Sequence, residues 1–410
     1  MNPDQIINML QSNDIFLTGK AGTGKSYMTR EIIKKVKNTI VLASTGMAAV
    51  NIGGSTVHSF FKLQICNNIT ELIAYDNFRI NQMKLKNIPE RLWHKYMFGD
   101  LIDALGVANL IIIDEISMLS KNVLELIFVR LSQFLKKRVP MLVVGDFYQL
   151  PPVNGEYAFQ SEKWKFIKVE LDVVKRTSNV DFANFQSQIR KGEKSDDTIL
   201  FIESLAKTTV DNPLRIFSRN VDVENANMTH LASLQGEIST IPTRLSPPDQ
   251  EISKSFLNEL RISESFSFKI GARVMIVVNN GNLYNGLLAT IAEYNEPYYI
   301  RIVTDNGVSM MISKYTFRKL VVTTEKGRII MKEIASAVQY PLVIAAAITI
   351  HKSQGLTIDK LSIDCDRIFE KGQFYVAISR GVNPANINVS SFDKKYITEN
   401  KIVDEFYQQK

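Results

Sequence analysis

Gly19-Lys20-Ala21-Gly22-Thr23-Gly24-Lys25-Ser26 has the spacing of a phosphate-binding loop, G-x-x-x-x-G-K-S. It follows an apolar run at 15–17 and precedes a stretch, 28–36, whose apolar residues have helical spacing. The motif requires this order of strand, loop and helix. Glycines let backbone N–H groups surround a polyphosphate, and the helix N-terminus adds partial positive charge. Because Lys25 can reach the β- and γ-phosphates and Ser26 can ligate Mg²⁺, the sequence predicts a nucleoside-triphosphate site.

Length and composition indicate a multidomain globular protein. A chain of 410 residues predicts two or three domains, and contents of 45% hydrophobic and 22% charged residues are ordinary for such proteins. No apolar run approaches the roughly 20 residues that span a bilayer, and the first residues lack the features of a secretion signal. We therefore expect a cytoplasmic location and no membrane partner. Cys66 and Cys365 are too far apart in the sequence to suggest a metal motif, and no disulfide is expected.

The charge balance favours a polyanionic partner only modestly. The chain has 49 basic and 42 acidic residues, a net charge of +7 and a pI near 9.1. Many enzymes without a nucleic-acid partner reach similar values, so the charge alone leaves the partner open.

Five short apolar runs predict a first α/β domain. They are continuous rather than alternating, which is typical of strands buried on both faces of a parallel sheet. The runs are 15–17, 39–42, 110–113, 141–144 and 166–171. This domain is predicted to end near residue 168, and the polar, weakly periodic stretch 67–99 is predicted to be an insertion in it.

A second α/β pattern follows and is interrupted by a β-rich segment. The apolar runs 214–217 and 343–350 predict core strands. Between them, 271–336 contains short apolar runs separated by Asn/Gly turns such as 285–286 and 305–307. This pattern predicts a small β-barrel or meander inserted into the second domain.

Two acidic residues follow the third apolar run and complete the predicted nucleotide site. Asp114 and Glu115 lie at the end of the run 110–113, and ligands collect at strand ends in open α/β sheets. Asp114 would hold Mg²⁺ together with Ser26. Glu115 would orient and deprotonate the attacking water, which favours hydrolysis over phosphoryl transfer to a substrate.

The segment Gly145-Asp146-Phe147-Tyr148-Gln149-Leu150-Pro151-Pro152 follows the next run. The amide of Gln149 could sense the γ-phosphate through a hydrogen bond. Two successive prolines make the loop rigid and remove backbone donors, so it could carry a signal from the nucleotide to another surface. Taken alone, the segment also fits a strand followed by a rigid turn.

Together these segments resemble the PIF and RecD-like 5′→3′ DNA helicases of superfamily one. The resemblance follows family order and covers nearly the whole chain. The matching segments are 19–26, 44–49 (Ser-Thr-Gly-Met-Ala-Ala), 56–60 (Thr-Val-His-Ser-Phe), 113–118, 145–152, 175–177 (Lys-Arg-Thr), 349–355 (Thr-Ile-His-Lys-Ser-Gln-Gly) and 375–380 (Tyr-Val-Ala-Ile-Ser-Arg). The Gln-Leu-Pro-Pro and His-Lys-Ser-Gln-Gly parts are far more specific than the phosphate-binding loop.

The resemblance implies an α/β fold with two RecA-like P-loop domains built on parallel sheets. The implied boundaries are 1–168 for the first domain, with 67–99 as a wedge that splits the duplex. The second domain would comprise 169–270 and 337–410. An SH3-like β-domain, 271–336, would be inserted in the second domain and close over the DNA strand as it leaves.

The resemblance also implies an ATP pocket between the two domains, with Mg²⁺ held by Ser26 and Asp114. Arg176 and Arg380, from the second domain, would act as arginine fingers on the γ-phosphate. Gln5 would read the adenine, and Gln149 would belong to the first domain. The implied catalytic residues are Lys25, Glu115, Gln149, Arg176 and Arg380. The implied nucleotide-binding residues are Gln5, Gly22, Thr23, Gly24, Lys25, Ser26, Asp114, Glu115, Gln149, Arg176, Gly355 and Arg380.

The implied DNA contacts are mostly neutral and polar. The residues expected to grip the sugar–phosphate backbone are Thr45, Gly46, His58, Thr349, His351 and Lys352. Phe60 and Pro151 would face bases, because aromatic and apolar faces stack on any base. Arg273, in the β-domain, is a further expected contact. Outside the resemblance, His58, His351 and Phe60 would be ordinary core or surface residues.

The function implied is an ATP- and Mg²⁺-dependent helicase that moves 5′→3′ on single-stranded DNA and unwinds duplexes. The stretch 124–137 lacks the glycine pair that many PIF helicases have and is followed by Arg138, which leaves PIF and RecD-like subfamilies open. Two alternatives are a translocase subunit of a recombination or nuclease complex and a non-motor P-loop protein. The expected partners of a monomeric chain are single-stranded DNA and forked or tailed duplex DNA, with G-quadruplex DNA as a further candidate.

Overall fold

The apolar runs of the sequence become the strands of two parallel sheets, and the chain divides into two units around them. The structure, a computed structural model, describes residues 1–64, 66–153, 155–248, 251–260, 262–280 and 282–409. The first unit comprises Met1–Phe147, Pro151–Val173 and Lys319–Ile334. The second comprises Tyr148–Leu150, Val174–Arg318 and the chain from Ala335 onward.

The first unit is built on one six-stranded sheet with helices around it. Its helices are α1 (Pro3–Leu10), α2 (Lys25–Lys35), α3 (Gly46–Ile52), α4 (Val57–Phe60), α5 (Ile69–Leu85), α6 (Trp93–Val107) and α7 (Lys121–Phe134). Its strands are β1 (Ile15–Gly19), β2 (Thr39–Ala43), β3 (Ser55–Thr56), β4 (Leu110–Asp114), β5 (Met141–Val144) and β6 (Ile167–Leu171). The strand order is β3-β2-β4-β5-β1-β6, and every pair is parallel.

This sheet confirms the α/β fold class predicted from the continuous apolar runs. The central strands β1, β4 and β5 are buried along nearly their whole length, as expected for strands covered on both faces. The prediction missed β3, because two polar residues carry no strand signal. Parallel pairing brings the carboxyl ends of β1 and β4 to the same sheet edge, where β1 leads into the phosphate-binding loop and β4 leads into Asp114.

The predicted insertion at 67–99 is largely helical, and a buried arginine of α7 is among the residues that bind it to the core. Asn68 caps α5 by accepting a hydrogen bond from the Glu71 backbone N–H at 2.9 Å. Arg130 of α7 is 1% exposed and makes two hydrogen bonds, at 2.7 and 2.8 Å, to the carboxylate of Asp76 in α5. Its Nε also donates to the backbone carbonyl of Phe61 at 3.2 Å. The guanidinium of Arg130 therefore connects α7, to which it belongs, with α5 and with the segment after α4.

The second unit contains a four-stranded parallel sheet and several antiparallel strands. Its helices are α8 (Val180–Lys191), α9 (Asp196–Ala206), α10 (Asn220–Ser233), α11 (Glu251–Leu260), α12 (Ile350–Ser353), α13 (Gln373–Ile378) and α14 (Lys401–Gln408). The remaining strands of the chain are β7 (Leu214–Phe217), β8 (Ser239–Pro242), β9 (Arg244–Ser246), β10 (Ser265–Phe268), β11 (Arg273–Ile276), β12 (Leu288–Asn295), β13 (Tyr299–Thr304), β14 (Ser309–Ile312), β15 (Tyr315–Glu325), β16 (Arg328–Gln339), β17 (Leu342–Ile344), β18 (Ala347–Thr349), β19 (Leu361–Asp364) and β20 (Ile387–Ser390). The parallel sheet has the order β18-β7-β19-β20.

The single strand predicted at 343–350 is wrong, because the structure divides this run between two sheets. Strand β17 pairs antiparallel with β11, with Ile344 opposite Val274. Strand β18 pairs parallel with β7, with Ala347 opposite Arg215. A continuous apolar run predicts burial but does not say which strand it will pair with.

The β-rich segment predicted between these strands contains antiparallel pairs, among them β11–β12, β12–β13 and β13–β14. Strands β11 to β14 and β17 form one sheet in the order β14-β13-β12-β11-β17, and β15, β16 and β9 form another. Predicted turns contain glycines with left-handed backbone, Gly286 with φ of 98° and Gly307 with φ of 82°. A meander of this kind fits the prediction, and its SH3-like character stays a prediction.

Arg130→Met is expected to lower the free energy of unfolding of the first unit by about 3–5 kcal/mol, because Asp76 and the Phe61 carbonyl lose their buried partner. Both tryptophans of the chain, Trp93 and Trp164, lie in this unit, so urea unfolding followed by tryptophan fluorescence reports on it.

Arg138→Met is the matched control, since the Arg138 side chain is 47% exposed and 3.5 Å from Asp14. It should cost less than about 1 kcal/mol. Equal losses for the two variants would contradict the role given to Arg130.

Candidate nucleotide and nucleic-acid site

The phosphate-binding loop has the backbone that its glycines permit. Gly22 and Gly24 have left-handed φ values of 80° and 92°, and Gly24 immediately precedes α2. A Cβ on Gly19 would lie 2.5 Å from the carbonyl oxygen of Leu171 and 2.8 Å from the Thr23 hydroxyl, so no side chain fits there. The local sequence therefore accounts for the loop conformation.

Lys25 lies in the mouth of this loop. Its Nζ donates to the carbonyl oxygens of Gly19 at 2.7 Å and Lys20 at 3.1 Å. The Thr23 hydroxyl donates to the Lys20 carbonyl at 2.9 Å and tightens the same turn. Ser26, in the first turn of α2, is exposed. The loop thus places an ammonium group and an accessible hydroxyl side by side in the chain, at the N-terminus of a helix.

The ionised form of the acidic pair at the end of β4 is unfavourable, because the two carboxylates are close together and Asp114 is largely shielded from solvent. Burial and the neighbouring Glu115 carboxylate raise the pKa of Asp114 to about 7, against the opposing effect of Lys25. Glu115 has φ of 54°, a left-handed conformation that costs energy in a residue with a side chain. A desolvated carboxylate needs a compensating cation, and the oxygens of Asp114 and Ser26 are ligands that Mg²⁺ prefers. These residues therefore fit a magnesium ion.

Ser44 connects the acidic pair to the segment that carries Thr45 and Gly46. The Ser44 hydroxyl donates to the Glu115 carbonyl at 2.9 Å, and its backbone N–H donates to the Asp114 carbonyl at 3.2 Å. Thr45 caps α3 by accepting from the backbone N–H of Ala48 at 3.3 Å. The sequence analysis missed Ser44 as a functional residue. Its position inside a matching motif was a signal, but its partner is 71 residues away.

The structure corrects one of the predicted DNA contacts in the first unit. Phe60, expected to face bases, is 4% exposed and packs edge-on against Phe61 with ring centroids 4.9 Å apart. Hydrophobic burial in α4 therefore determines its position. His58 is half-buried, and burial lowers its pKa, so it is neutral at neutral pH. Pro151 is also half-buried, at the surface of the first unit.

The two predicted arginine fingers meet at one residue of the second unit. Arg380 is 1% exposed and donates to the Val376 carbonyl at 2.8 Å, the Leu356 carbonyl at 3.4 Å and the Ser379 hydroxyl at 2.8 Å. Arg176 donates to the Ser379 carbonyl at 2.7 Å. Burial lowers the pKa of Arg176, although an arginine remains charged at neutral pH. Residues 204 positions apart are thus brought together at the end of α13.

Gln149 is grouped with the second unit, whereas the resemblance assigned it to the first domain. It is 7% exposed, and its Oε1 lies 3.4 Å from Nε2 of Gln354, which donates to it. Gly355, with φ of 81°, follows directly. Two predicted nucleotide-binding positions, Gln149 and Gly355, therefore lie in the same neighbourhood of this unit.

The remaining predicted DNA contacts of the second unit surround α12. Thr349 caps this helix by accepting from the Lys352 backbone N–H at 3.2 Å. Nε2 of His351 is 3.8 Å from a carboxylate oxygen of Glu370, and burial raises the pKa of Glu370. Lys352 is exposed.

Arg273 was predicted to contact DNA, and the structure contradicts this prediction. The residue is 1% exposed, and its guanidinium makes two hydrogen bonds, at 2.9 and 2.8 Å, to the carboxylate of Asp305. Its backbone N–H donates to Nε2 of His230 at 2.9 Å. Charge pairing inside the β-rich part of the unit therefore occupies Arg273.

Gln5, expected to read adenine, forms a helix cap in this structure. Its side-chain oxygen accepts from the Asn2 backbone N–H at 2.9 Å, and its own N–H donates to the Asn2 side chain at 3.0 Å. This reciprocal pair is a capping box at the start of α1. The side chain is exposed.

A family model of PIF1-like helicases matches residues 4–199, and a second helicase model matches 293–406. The ATP-dependent DNA helicase Pif1 of Campylobacter jejuni is 37% identical over 425 residues, which covers 95% of this chain and 92% of the relative. The chain belongs to the PIF1-like helicase family. The resemblance predicted from the motifs is confirmed, and so is the predicted enzyme class, a helicase.

Solved structures of PIF1-like helicases have the same fold. Bacteroides sp Pif1 in complex with ADP-AlF4 is 29% identical, with a TM-score of 0.82 over 99% of this chain and 95% of that chain. Bacteroides Pif1 bound to ssDNA is 30% identical, with a TM-score of 0.66 over the same shares. Within the described residues, no helix of this PIF1-like chain is long and apolar enough to cross a bilayer.

Lys25→Ala is expected to abolish ATP hydrolysis while DNA binding stays measurable, because the variant removes the ammonium that donates to the loop carbonyls of Gly19 and Lys20. Phosphate release and fluorescence anisotropy with labelled single-stranded DNA measure the two properties. Lys34→Ala, which removes an exposed ammonium from the same helix, is the control and should leave both unchanged. Normal turnover by Lys25→Ala would refute the assignment of the loop.

Proposed function

We propose that this PIF1-like chain is an ATP- and Mg²⁺-dependent DNA helicase that translocates 5′→3′ on single-stranded DNA and unwinds duplexes. The observation that carries the proposal is the division of catalytic groups. The phosphate-binding loop and acidic pair occupy one sheet edge of the first unit, and Arg176 and Arg380 meet at Ser379 in the second. The relatives support it: one is named an ATP-dependent DNA helicase, and solved structures of another hold ADP-AlF4 or single-stranded DNA.

The proposed domains follow the boundaries expected from the motifs. The first RecA-like domain is 1–168, with the wedge at 67–99. The second is 169–270 together with 337–410, and the SH3-like domain is 271–336. The six-stranded and four-stranded parallel sheets support the two RecA-like assignments, and the antiparallel strands between β10 and β17 support the third.

The first domain would bind and activate the nucleotide. Lys25 would exchange its two loop carbonyls for phosphate oxygens, and Ser26 and Asp114 would hold Mg²⁺. When bound, the metal ion neutralises charge on the β- and γ-phosphates. Glu115 would orient the attacking water and accept its proton. The left-handed backbone at Glu115 supports a functional position, since strain of this kind is retained where the surrounding structure enforces it.

Arg176 and Arg380 would stabilise the charge that develops on the γ-phosphoryl group. In this structure their guanidinium groups donate to carbonyl and hydroxyl oxygens of their own unit. Engagement of ATP would therefore exchange neutral acceptors for anionic phosphate oxygens, which form stronger hydrogen bonds. That difference gives ATP a means of favouring one arrangement of the motor over another.

The residues proposed to grip the DNA backbone are Thr45, Gly46, His58, Thr349, His351 and Lys352, and Pro151 is proposed to face bases. Most are uncharged, which suits a motor that must release and regrip a backbone of any sequence. Ser44 would transmit movement between the acidic pair and Thr45 through its hydrogen bond to Glu115. A monomeric state, a cytoplasmic location and binding of G-quadruplex DNA stay predictions.

Arg380→Ala is expected to retain ATP binding and to reduce turnover by at least about 10³-fold, the scale of an arginine finger. Phosphate release and binding of a fluorescent nucleotide measure the two steps. Arg301→Ala is the matched control, because Arg301 is a partly exposed arginine of the same unit that pairs with Glu293. A loss of less than about tenfold would show that Arg380 is not a finger.

Tailed duplexes test the direction of movement and whether the chain unwinds DNA without other subunits. The purified chain should unwind a duplex with a 5′ single-stranded tail in the presence of ATP, and should not unwind one with a 3′ tail. Strand separation is measured with a fluorophore and quencher on the two strands. The reverse preference would refute 5′→3′ movement, and ATP turnover without unwinding of either substrate would favour a translocase subunit.

A further inference from the structure

The segment 145–152 leads from β5 to the two prolines and carries Gln149. All eight of its residues are described, and none lies in a helix or strand. Contacts with other parts of the chain therefore help to determine where the amide of Gln149 points. Tyr148, next to it in the chain, is only 7% exposed and belongs to the second unit.

The ring of Tyr148 contacts a second aromatic ring and a guanidinium group. It stacks on Tyr407 of α14, with ring centroids 5.0 Å apart and an interplanar angle of 21°. The guanidinium carbon of Arg190, in α8, lies 4.2 Å from its centroid and 5.4 Å from that of Tyr407. Stacking and cation–π attraction both favour this arrangement, and more so because Arg190 is buried.

The phenol hydroxyl of Tyr148 supplies a third restraint. It donates to Oδ1 of Asp404, also in α14, at 2.6 Å. Hydrogen bonds from a hydroxyl to a carboxylate are short and stronger than those between neutral groups. Tyr148, Arg190, Asp404 and Tyr407 together form what we call the Tyr148 cluster.

Close backbone packing connects the Tyr148 cluster to the arginine fingers. Gly372 has φ of 79° and precedes α13, and a Cβ there would lie 2.7 Å from the carbonyl oxygens of both Tyr148 and Gln149. The same helix leads at its other end to Ser379, which accepts hydrogen bonds from Arg176 and Arg380. One short helix thus spans the distance between the backbone of Gln149 and both fingers.

We propose that Tyr148 is a positioning residue for ATP hydrolysis, and that α14 holds it through Asp404 and Tyr407. By fixing the backbone next to Gln149, the Tyr148 cluster keeps that amide beside Gln354 and in register with α13. The proposal rests on the proposed function, in which Gln149 senses the γ-phosphate. It adds α14, which contains none of the family's motif residues, to the machinery that positions the sensor.

The test compares Tyr148→Phe and Asp404→Asn, which remove the hydrogen bond or the charge but keep the shape of each side chain. Single-stranded-DNA-stimulated ATP hydrolysis gives kcat and KM for each variant. Each should lower kcat by about 10-fold, the scale of one hydrogen bond to a charged group, with little change in KM for ATP. The double variant should be no worse than the poorer single variant, because Asp404 acts on Tyr148 only through the hydroxyl that Tyr148→Phe already removes.

Glu405→Gln is the matched control, since Glu405 is an exposed carboxylate on the same helix, and it should keep wild-type kcat. Circular dichroism gives the folded fraction of every variant. A fall in kcat that disappears after correction for the folded fraction would overturn the proposal, because it would indicate a purely structural role. Additive losses in the double variant would overturn it as well.

Gln149→Ala, measured in parallel, separates failure of this proposal from failure of the proposed function. If Gln149→Ala lowers kcat while Tyr148→Phe and Asp404→Asn keep it, the sensor role stands and the positioning role is wrong. If Gln149→Ala keeps wild-type kcat, the sensor role is wrong and the positioning proposal fails with it.

Discussion

Parallel pairing of β1, β5 and β4 is the constraint on which the nucleotide site depends. It places the carboxyl ends of these strands at one sheet edge, so the loop around Lys25 and the carboxylate of Asp114 share that edge. The cost is a desolvated carboxylate with a raised pKa beside a second acid. Because burial and charge repulsion disfavour the ionised form of Asp114, the site favours the binding of a cation and of the phosphates that accompany it. Ser44 extends the same edge to the segment of Thr45.

In the second unit, the two predicted arginine fingers are partly or fully buried and keep hydrogen-bond partners. Arg176 and Arg380 converge on Ser379, and carbonyl oxygens satisfy guanidinium protons that would otherwise be buried and unpaired. Gly372 allows α13 to begin directly against the backbone of Gln149. Gln149, Arg176 and Arg380 therefore all contact α13 or its ends, and a displacement of that helix would move all three together.

The predictions that were wrong share a physical cause. Arg273 looked like a surface cation, but Asp305, in a turn 32 residues later, neutralises it. Phe60 looked like a stacking platform, but the core of the first unit buries it. The run 343–350 looked like one strand, but its first half pairs with β11 and its second half pairs with β7. The outcomes at Arg273 and at 343–350 depend on partners that are distant in the sequence, and a short segment carries no information about them.

Local chemistry was enough to predict the α/β class, the phosphate-binding loop and the acidic pair, and the resemblance of the motifs in family order supplied the helicase family. Glycines with positive φ, continuous apolar runs and acids at a strand end have few structural solutions, so short segments determine them. Only the tertiary structure decided that Gln149 packs with the second unit, that Arg176 and Arg380 meet at Ser379, and that Asp404 and Tyr407 hold Tyr148. These contacts join residues 200 or more positions apart, and their energies depend on packing and desolvation, which exist only in the folded chain.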